Sequence, residues 1–164
     1  MATEPWLRGP IEGVHPVASH LIYTFEQARE ELAVFTQGLT FEQLWKPIAG
    51  ASVGFHLRHI AGSVDRLATY LNGEQLTSDQ LQFLRNEPQP GATLDELLQG
   101  LDEVFQRTVM LVKYFDASKY LDLRGVGRKA LPTTVAGLII HISEHTQRHL
   151  GQAIITAKIA RGVQ

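Results

Sequence analysis

Apolar residues recur every three or four positions through four long stretches of this sequence. The stretches cover residues 16 to 37, 52 to about 71, 93 to about 115 and 133 to about 160. This spacing places apolar side chains on one face of an α-helix. The pattern therefore predicts four long amphipathic helices, each with one face available to pack against the others.

Capping signals place the starts of three helices. Residues 40–43 (TFEQ), 77–80 (TSDQ) and 93–96 (TLDE) each have a threonine followed three positions later by glutamine or glutamate. In such a capping box, the two side chains bond to the first free backbone N–H groups of a helix. The first two boxes predict short helices, the second reaching about Asn86, and the third opens a long helix. Gly38 and Gly73 are well placed to end the helices before them.

Residues 116 to 132 show no helical periodicity and no strand-like alternation of apolar and polar positions. They are predicted to form a long connection. With four long helices and no convincing strand, the chain is predicted to be all-α: a four-helix bundle with short additional helices. A length of 164 residues favours a single domain over residues 1–164.

The composition of the chain argues against several classes of function and of metal site. The formal net charge is -2, which gives no general attraction to nucleic acid or anionic membranes. No apolar run approaches the roughly 20 residues needed to cross a bilayer, and no secretory signal pattern opens the sequence. We therefore expect a cytoplasmic protein. The sequence has no cysteine, which excludes disulfides, thiolate metal sites and a cysteine nucleophile.

Five histidines fall in two short stretches of the predicted helices. His141, His145 and His149 are four residues apart on the last helix, and His56 and His59 are three apart on the second. Neighbours at a spacing of four can reach one metal ion, whereas His141 and His149 lie about 12 Å apart along the axis. One helix thus supplies a pair, and a third nitrogen must come from the other. Three nitrogens and one open position are typical of catalytic zinc sites.

Three other polar residues are candidates near such a site. Gln152 shares the histidine stripe one turn after His149 and could hydrogen-bond to a ligand. Arg66 lies close to the face of His59, and Arg128 lies in the long connection; either could bind a substrate carboxylate. We favour a salt bridge at the bundle edge for Arg66 and a solvated turn for Arg128. Histidines that serve only packing in a structural bundle are the alternative to a metal site.

Two stretches resemble the DinB-like (DinB/YfiT-like) family of small metal-binding proteins: residues 53–63 (VGFHLRHIAGS) and 141–152 (HISEHTQRHLGQ). The resemblance implies an up-down-down-up four-helix bundle, often a homodimer, with a three-histidine site for nickel or zinc. Carried over by position, the metal ligands are His59, His145 and His149. His56 and His141 then line the cavity or replace a ligand.

The resemblance also implies a chemistry. Characterised enzymes of the family are thiol-dependent transferases and isomerases, in which a metal-bound low-molecular-weight thiolate attacks an electrophile. Because this sequence has no cysteine, the thiol would be a cosubstrate. We therefore predict a metal-dependent S-transferase, similar to the bacillithiol transferases, that acts on a small electrophile. A hydrolase and a non-catalytic, metal-binding homodimer with a stress-related role are the alternatives.

Overall fold

The computed structural model describes residues 3 to 162. Within that range there are six α-helices and two β-strands: α1 (Pro16–Thr36), α2 (Phe41–Trp45), α3 (Val53–Leu71), α4 (Ser78–Asn86), α5 (Leu94–Lys113), β1 (Leu123–Val126), β2 (Leu131–Thr134) and α6 (Val135–Ala160). The four predicted long helices are confirmed as α1, α3, α5 and α6, with ends that differ by one or two residues. All three predicted capping boxes are formed.

Side-chain contacts fix the directions of the four long helices. Thr24 near the start of α1 contacts Ser143 near the start of α6, and Arg161 after α6 donates to the carbonyl of Phe35 near the end of α1. These two helices are therefore parallel. Helix α3 also packs against α6: His56 meets His149, and the later α3 residue Ser63 meets the earlier α6 residue His145, so that α3 runs antiparallel to α6.

The fourth helix completes the arrangement. Phe25 stacks on Phe105 and Arg29 pairs with Asp102, so positions rise along α1 as they fall along α5. Helix α5 is thus antiparallel to α1 and parallel to α3. In chain order, the long helices run up, down, down and up, which confirms the predicted four-helix bundle.

The core lies between these helices. Its largest fully buried side chains come from α2 and from all four long helices: Phe25, Phe105, Leu21, Leu32, Leu44, Leu57, Ile60, Leu71, Leu101, Ile139, Ile142 and Leu150. The rings of Phe25 and Phe105 stack at 4.0 Å between centroids and join α1 to α5. Within residues 3 to 162, no helix combines the length and the apolar character that crossing a lipid bilayer requires.

The connection before α6 contains an antiparallel hairpin that the sequence pattern did not predict. Strands β1 and β2 pair Gly125 with Pro132 and Val126 with Leu131, and the turn between them begins at Gly127 with φ 71°. Each strand has only four residues, and glycine and proline are unfavourable in strand interiors. Neither strand has a buried residue, so no alternation of apolar and polar positions marks them.

Candidate metal centre

Three imidazoles meet where α3 packs against α6. His59 of α3 lies opposite His145 and His149, which are one helical turn apart on α6. One nitrogen from each ring lies within 4.8 Å of the other two. The ring centroids are 4.4 Å apart for His59 and His149, 5.1 Å for His59 and His145, and 4.6 Å for His145 and His149. The antiparallel packing of the two helices thus brings together residues 86 positions apart in the chain or more.

The Nδ1 atom of each ring lies at hydrogen-bond distance from another side chain. The pairs are His59 with Glu87 Oε2 at 2.7 Å, His145 with Ser63 Oγ at 3.2 Å, and His149 with His56 Nδ1 at 3.2 Å. A neutral imidazole carries one N–H group and one free lone pair. Where Nδ1 donates to the neighbour, as His59 does to the carboxylate of Glu87, the lone pair of a neutral ring is on Nε2, where it can bind a metal.

The donor set fits a divalent transition metal. In a tetrahedral zinc site, with Zn–N distances of about 2.0–2.1 Å, ligand nitrogens lie about 3.3 Å apart. The three nitrogens of the cluster all lie within 4.8 Å of one another, a limit that is compatible with this spacing. Imidazole suits zinc, nickel, copper and iron, so the residues alone do not select among these metals.

Burial keeps two of the three candidate ligands in the form that binds metal. The pKa values of His145 and His149 are lowered to about 4, chiefly by burial and next by positive charge on neighbouring groups, first His59. The pKa of His56 is lowered to about 4 by the same two causes. These rings are neutral at pH 7, as coordination requires. Protons therefore compete with a metal ion at the two candidate ligands of α6, His145 and His149, only near pH 4.

Comparison with known proteins identifies the family of this chain. A family model described as the DinB superfamily matches residues 24–153. The chain belongs to the DinB superfamily. Among solved structures, the DinB-like bundle of YfiT from Bacillus subtilis is similar, with a TM-score of 0.69 and 18% identity over 95% of this chain and 94% of that one. YfiT is described as a probable metal-dependent hydrolase with an unusual four-helix bundle topology. No curated protein matches the chain.

The other two of the five histidines in the two stretches, His56 and His141, take different positions in this DinB-superfamily chain. His56 is 5% exposed and contacts His149, so it lies beside the cluster. His141 pairs with Glu144 at 2.7 Å, with both side chains about half exposed. Gln152 is exposed and forms no hydrogen bond to the cluster within the described residues. The contact expected of Gln152 is instead made by Ser63 of α3, which meets His145 Nδ1.

The two candidate arginines, Arg66 and Arg128, differ in burial and in their contacts. Arg66 is 9% exposed and donates to Glu87 Oε1 at 2.8 Å, and the other oxygen of that carboxylate meets His59. Arg128 is exposed in the turn between β1 and β2. Glu87, which follows a short helix and precedes a proline, is not among the candidate residues that the sequence predicts. Nothing in that local pattern marks it as a neighbour of the histidines.

Acidification is expected to destabilise the metal-free protein. In the unfolded chain, His56, His145 and His149 titrate near pH 6.5, whereas in the folded protein their pKa values are about 4. Below pH 6.5 the unfolded chain therefore binds more protons, and the free energy of unfolding falls as the pH falls towards 4. Partial solvent exposure reduces each contribution. Thermal melts of chelator-treated protein at pH 7 and about pH 4.5 should differ by about 3 °C or more.

A variant that lacks two of these rings provides the control for the acid effect. His145→Gln with His149→Gln should show a weaker dependence of the melting temperature on pH, because only His56 then retains the lowered pKa. An unchanged pH dependence in this variant would assign the acid sensitivity to other groups.

Proposed function

We propose that this chain is a metal-dependent enzyme that holds one divalent cation between α3 and α6 with His59, His145 and His149. The observation that carries the proposal is the meeting of three imidazole nitrogens within 4.8 Å. The polar neighbour at each Nδ1 supports it, because ligating histidines are usually oriented in this way.

Three protein nitrogens leave room for an exogenous ligand in the coordination shell. A cation bound there would lower the pKa of a thiol or a water molecule and so supply a nucleophile at neutral pH. The chain's own contribution is to keep His145 and His149 neutral by burial and to orient the three rings through Glu87, Ser63 and His56. Partial burial of the three ligands also limits access of bulk water.

The first candidate reaction is S-transfer from a small thiol. The thiol loses its proton, its sulfur attacks an electrophilic carbon, and the leaving group departs with the bonding electron pair. The absence of cysteine from the sequence requires the thiol to come from solution. The chemistry of characterised DinB-like enzymes supports this choice.

Hydrolysis is the second candidate. It uses the same three imidazoles with water as the nucleophile, and the description of YfiT as a probable metal-dependent hydrolase favours it. The two reactions differ in whether product formation requires an added thiol.

An assay with and without thiol separates them. Tag-free protein loaded with Zn²⁺ or Ni²⁺ is incubated with an activated aryl halide or an activated ester, alone and with cysteine, glutathione, coenzyme A or bacillithiol. S-transfer predicts a thioether product by mass spectrometry, formed faster than in protein-free controls and only with thiol. Hydrolysis predicts product without thiol. A metal-loaded protein that accelerates neither reaction would favour the non-catalytic module.

A further inference from the structure

Glu87 reaches the candidate metal centre from outside the two helices that carry the histidines. It is the residue that caps the C-terminus of α4, and it is 1% exposed. One carboxylate oxygen lies 2.7 Å from His59 Nδ1, and the other accepts a hydrogen bond from Arg66 at 2.8 Å. A buried carboxylate therefore connects a buried arginine to a candidate ligand.

This contact defines the tautomer of His59. A carboxylate accepts hydrogen bonds and has no proton to donate. His59 must therefore donate from Nδ1, and in the neutral ring that binds a metal the lone pair is then on Nε2. Carboxylates that bond to a ligating histidine in this way fix its ring and increase its basicity as a ligand.

A glycine in α3 provides the space for the carboxylate. A Cβ atom built at Gly62 would lie 2.5 Å from Glu87 Oε1, 2.8 Å from Arg66 Nη1 and 2.8 Å from Phe83 Cε1. Glycine is unfavourable inside a helix, so its presence there calls for a local reason. Here the missing side chain lets Glu87 approach α3 beside His59.

The same contact holds α4 against the bundle. None of the residues Ser78–Asn86 is buried, so the helix itself contributes little to the core. Its C-terminal end is fixed by Glu87 and by Arg58 of α3, which donates to the carbonyls of Asn86 and Gln89. Its N-terminal end is attached through Gln80, which donates to Asp65 and Thr69 of α3. Glu87 thus links the C-terminal attachment of α4 to the orientation of His59.

We infer that Glu87 is a positioning residue that orients His59 for metal binding and makes α4 part of the metal centre. The inference rests on the proposed function, because it concerns the same three-histidine site. It goes further in assigning a role to a residue outside the ligand set and to the helix that carries it. Because coupling between two equilibria is reciprocal, bound metal should in turn strengthen the attachment of α4.

Zinc affinity in matched variants tests the inference. Competition with a chromophoric chelator gives the Zn²⁺ affinity, and Co²⁺ absorption reports the coordination geometry. Glu87→Gln should lower the zinc affinity by about 10- to 100-fold and change the Co²⁺ spectrum. Glu144→Gln is the control, because Glu144 contacts His141 at the same 2.7 Å on the exposed side of α6. It should change neither measurement.

A second pair of variants addresses the same contact without altering a charge. Gly62→Ala should displace Glu87 and lower the zinc affinity in the same way. This variant tests the positioning role even if Glu87→Gln fails to fold. Gly100→Ala is the control, because a Cβ atom there meets nothing within 4 Å. Hydrogen exchange of the wild type should show stronger protection of α4 with Zn²⁺ than without it.

The outcomes separate this inference from the proposed function. A wild type that binds no zinc would overturn both. A wild type that binds zinc, with Glu87→Gln and Gly62→Ala equal to it in affinity and in Co²⁺ spectrum, would overturn the positioning role alone. A purely structural Glu87 predicts that result, together with a lower melting temperature of the metal-free variant.

Discussion

Replacing His145 and His149 together by alanine is expected to abolish stoichiometric metal binding. The change removes two of the three nitrogens that lie within 4.8 Å of one another and leaves only His59. We expect the affinity for Zn²⁺ to fall on the order of 1,000-fold or more, because the free energy of binding comes from coordination by all the ligands together. Metal-dependent turnover should fall to background. Metal analysis after dialysis of tag-free protein measures the loss of bound metal.

Replacement of His141 provides the matched control. His141 belongs to the same stripe of α6 but pairs with Glu144 at the surface. His141→Ala should therefore retain a full equivalent of metal. If His141→Ala loses the ion and the double variant keeps it, the ligand set has been wrongly assigned.

Phe105→Ala is expected to produce the largest loss of stability. The ring is 0% exposed, stacks on Phe25 at 4.0 Å, and lies beneath the guanidinium of Arg29 at 5.4 Å. Truncating a buried aromatic side chain costs about 3–5 kcal/mol in free energy of unfolding. For a chain of this size, the melting temperature should fall by roughly 6–20 °C. Chemical denaturation of the metal-free protein measures the loss.

Phe41→Ala is the matched control for this prediction, because its ring is 52% exposed. It should change the free energy of unfolding by about 0.5 kcal/mol or less. Helix α5 carries none of the candidate ligands, so saturating metal should stabilise Phe105→Ala about as much as the wild type. A loss below about 1 kcal/mol for Phe105→Ala would contradict the placement of this ring at the centre of the bundle.

The four long helices could be predicted from sequence because each has a long apolar face and clear ends. Their periodicity extends over about 20 residues in each case, and capping residues precede several of them. The hairpin could not, since its strands are short, exposed and interrupted by Gly125 and Pro132. A strand with one buried face usually alternates apolar and polar residues, and these two strands have no buried residue.

The candidate site was predictable only in part, because it is assembled from distant segments. A spacing of four marks His145 and His149 as neighbours, but spacing alone could not choose between His56 and His59 as the partner on α3. That choice came from the family resemblance, and the packing of α3 on α6 places His59 between the pair and Glu87. The contributions of Glu87 and Gly62 depend on where α4 lies, which no local pattern records.

A structure of the zinc-loaded, tag-free protein, with the ion located by anomalous scattering, tests the central claim most directly. The account predicts one ion bound by Nε2 of His59, His145 and His149 at about 2.0–2.1 Å, with any remaining position taken by a group from solution. An ion bound instead at His141 and Glu144, or one that leaves His59 uncoordinated, would contradict it.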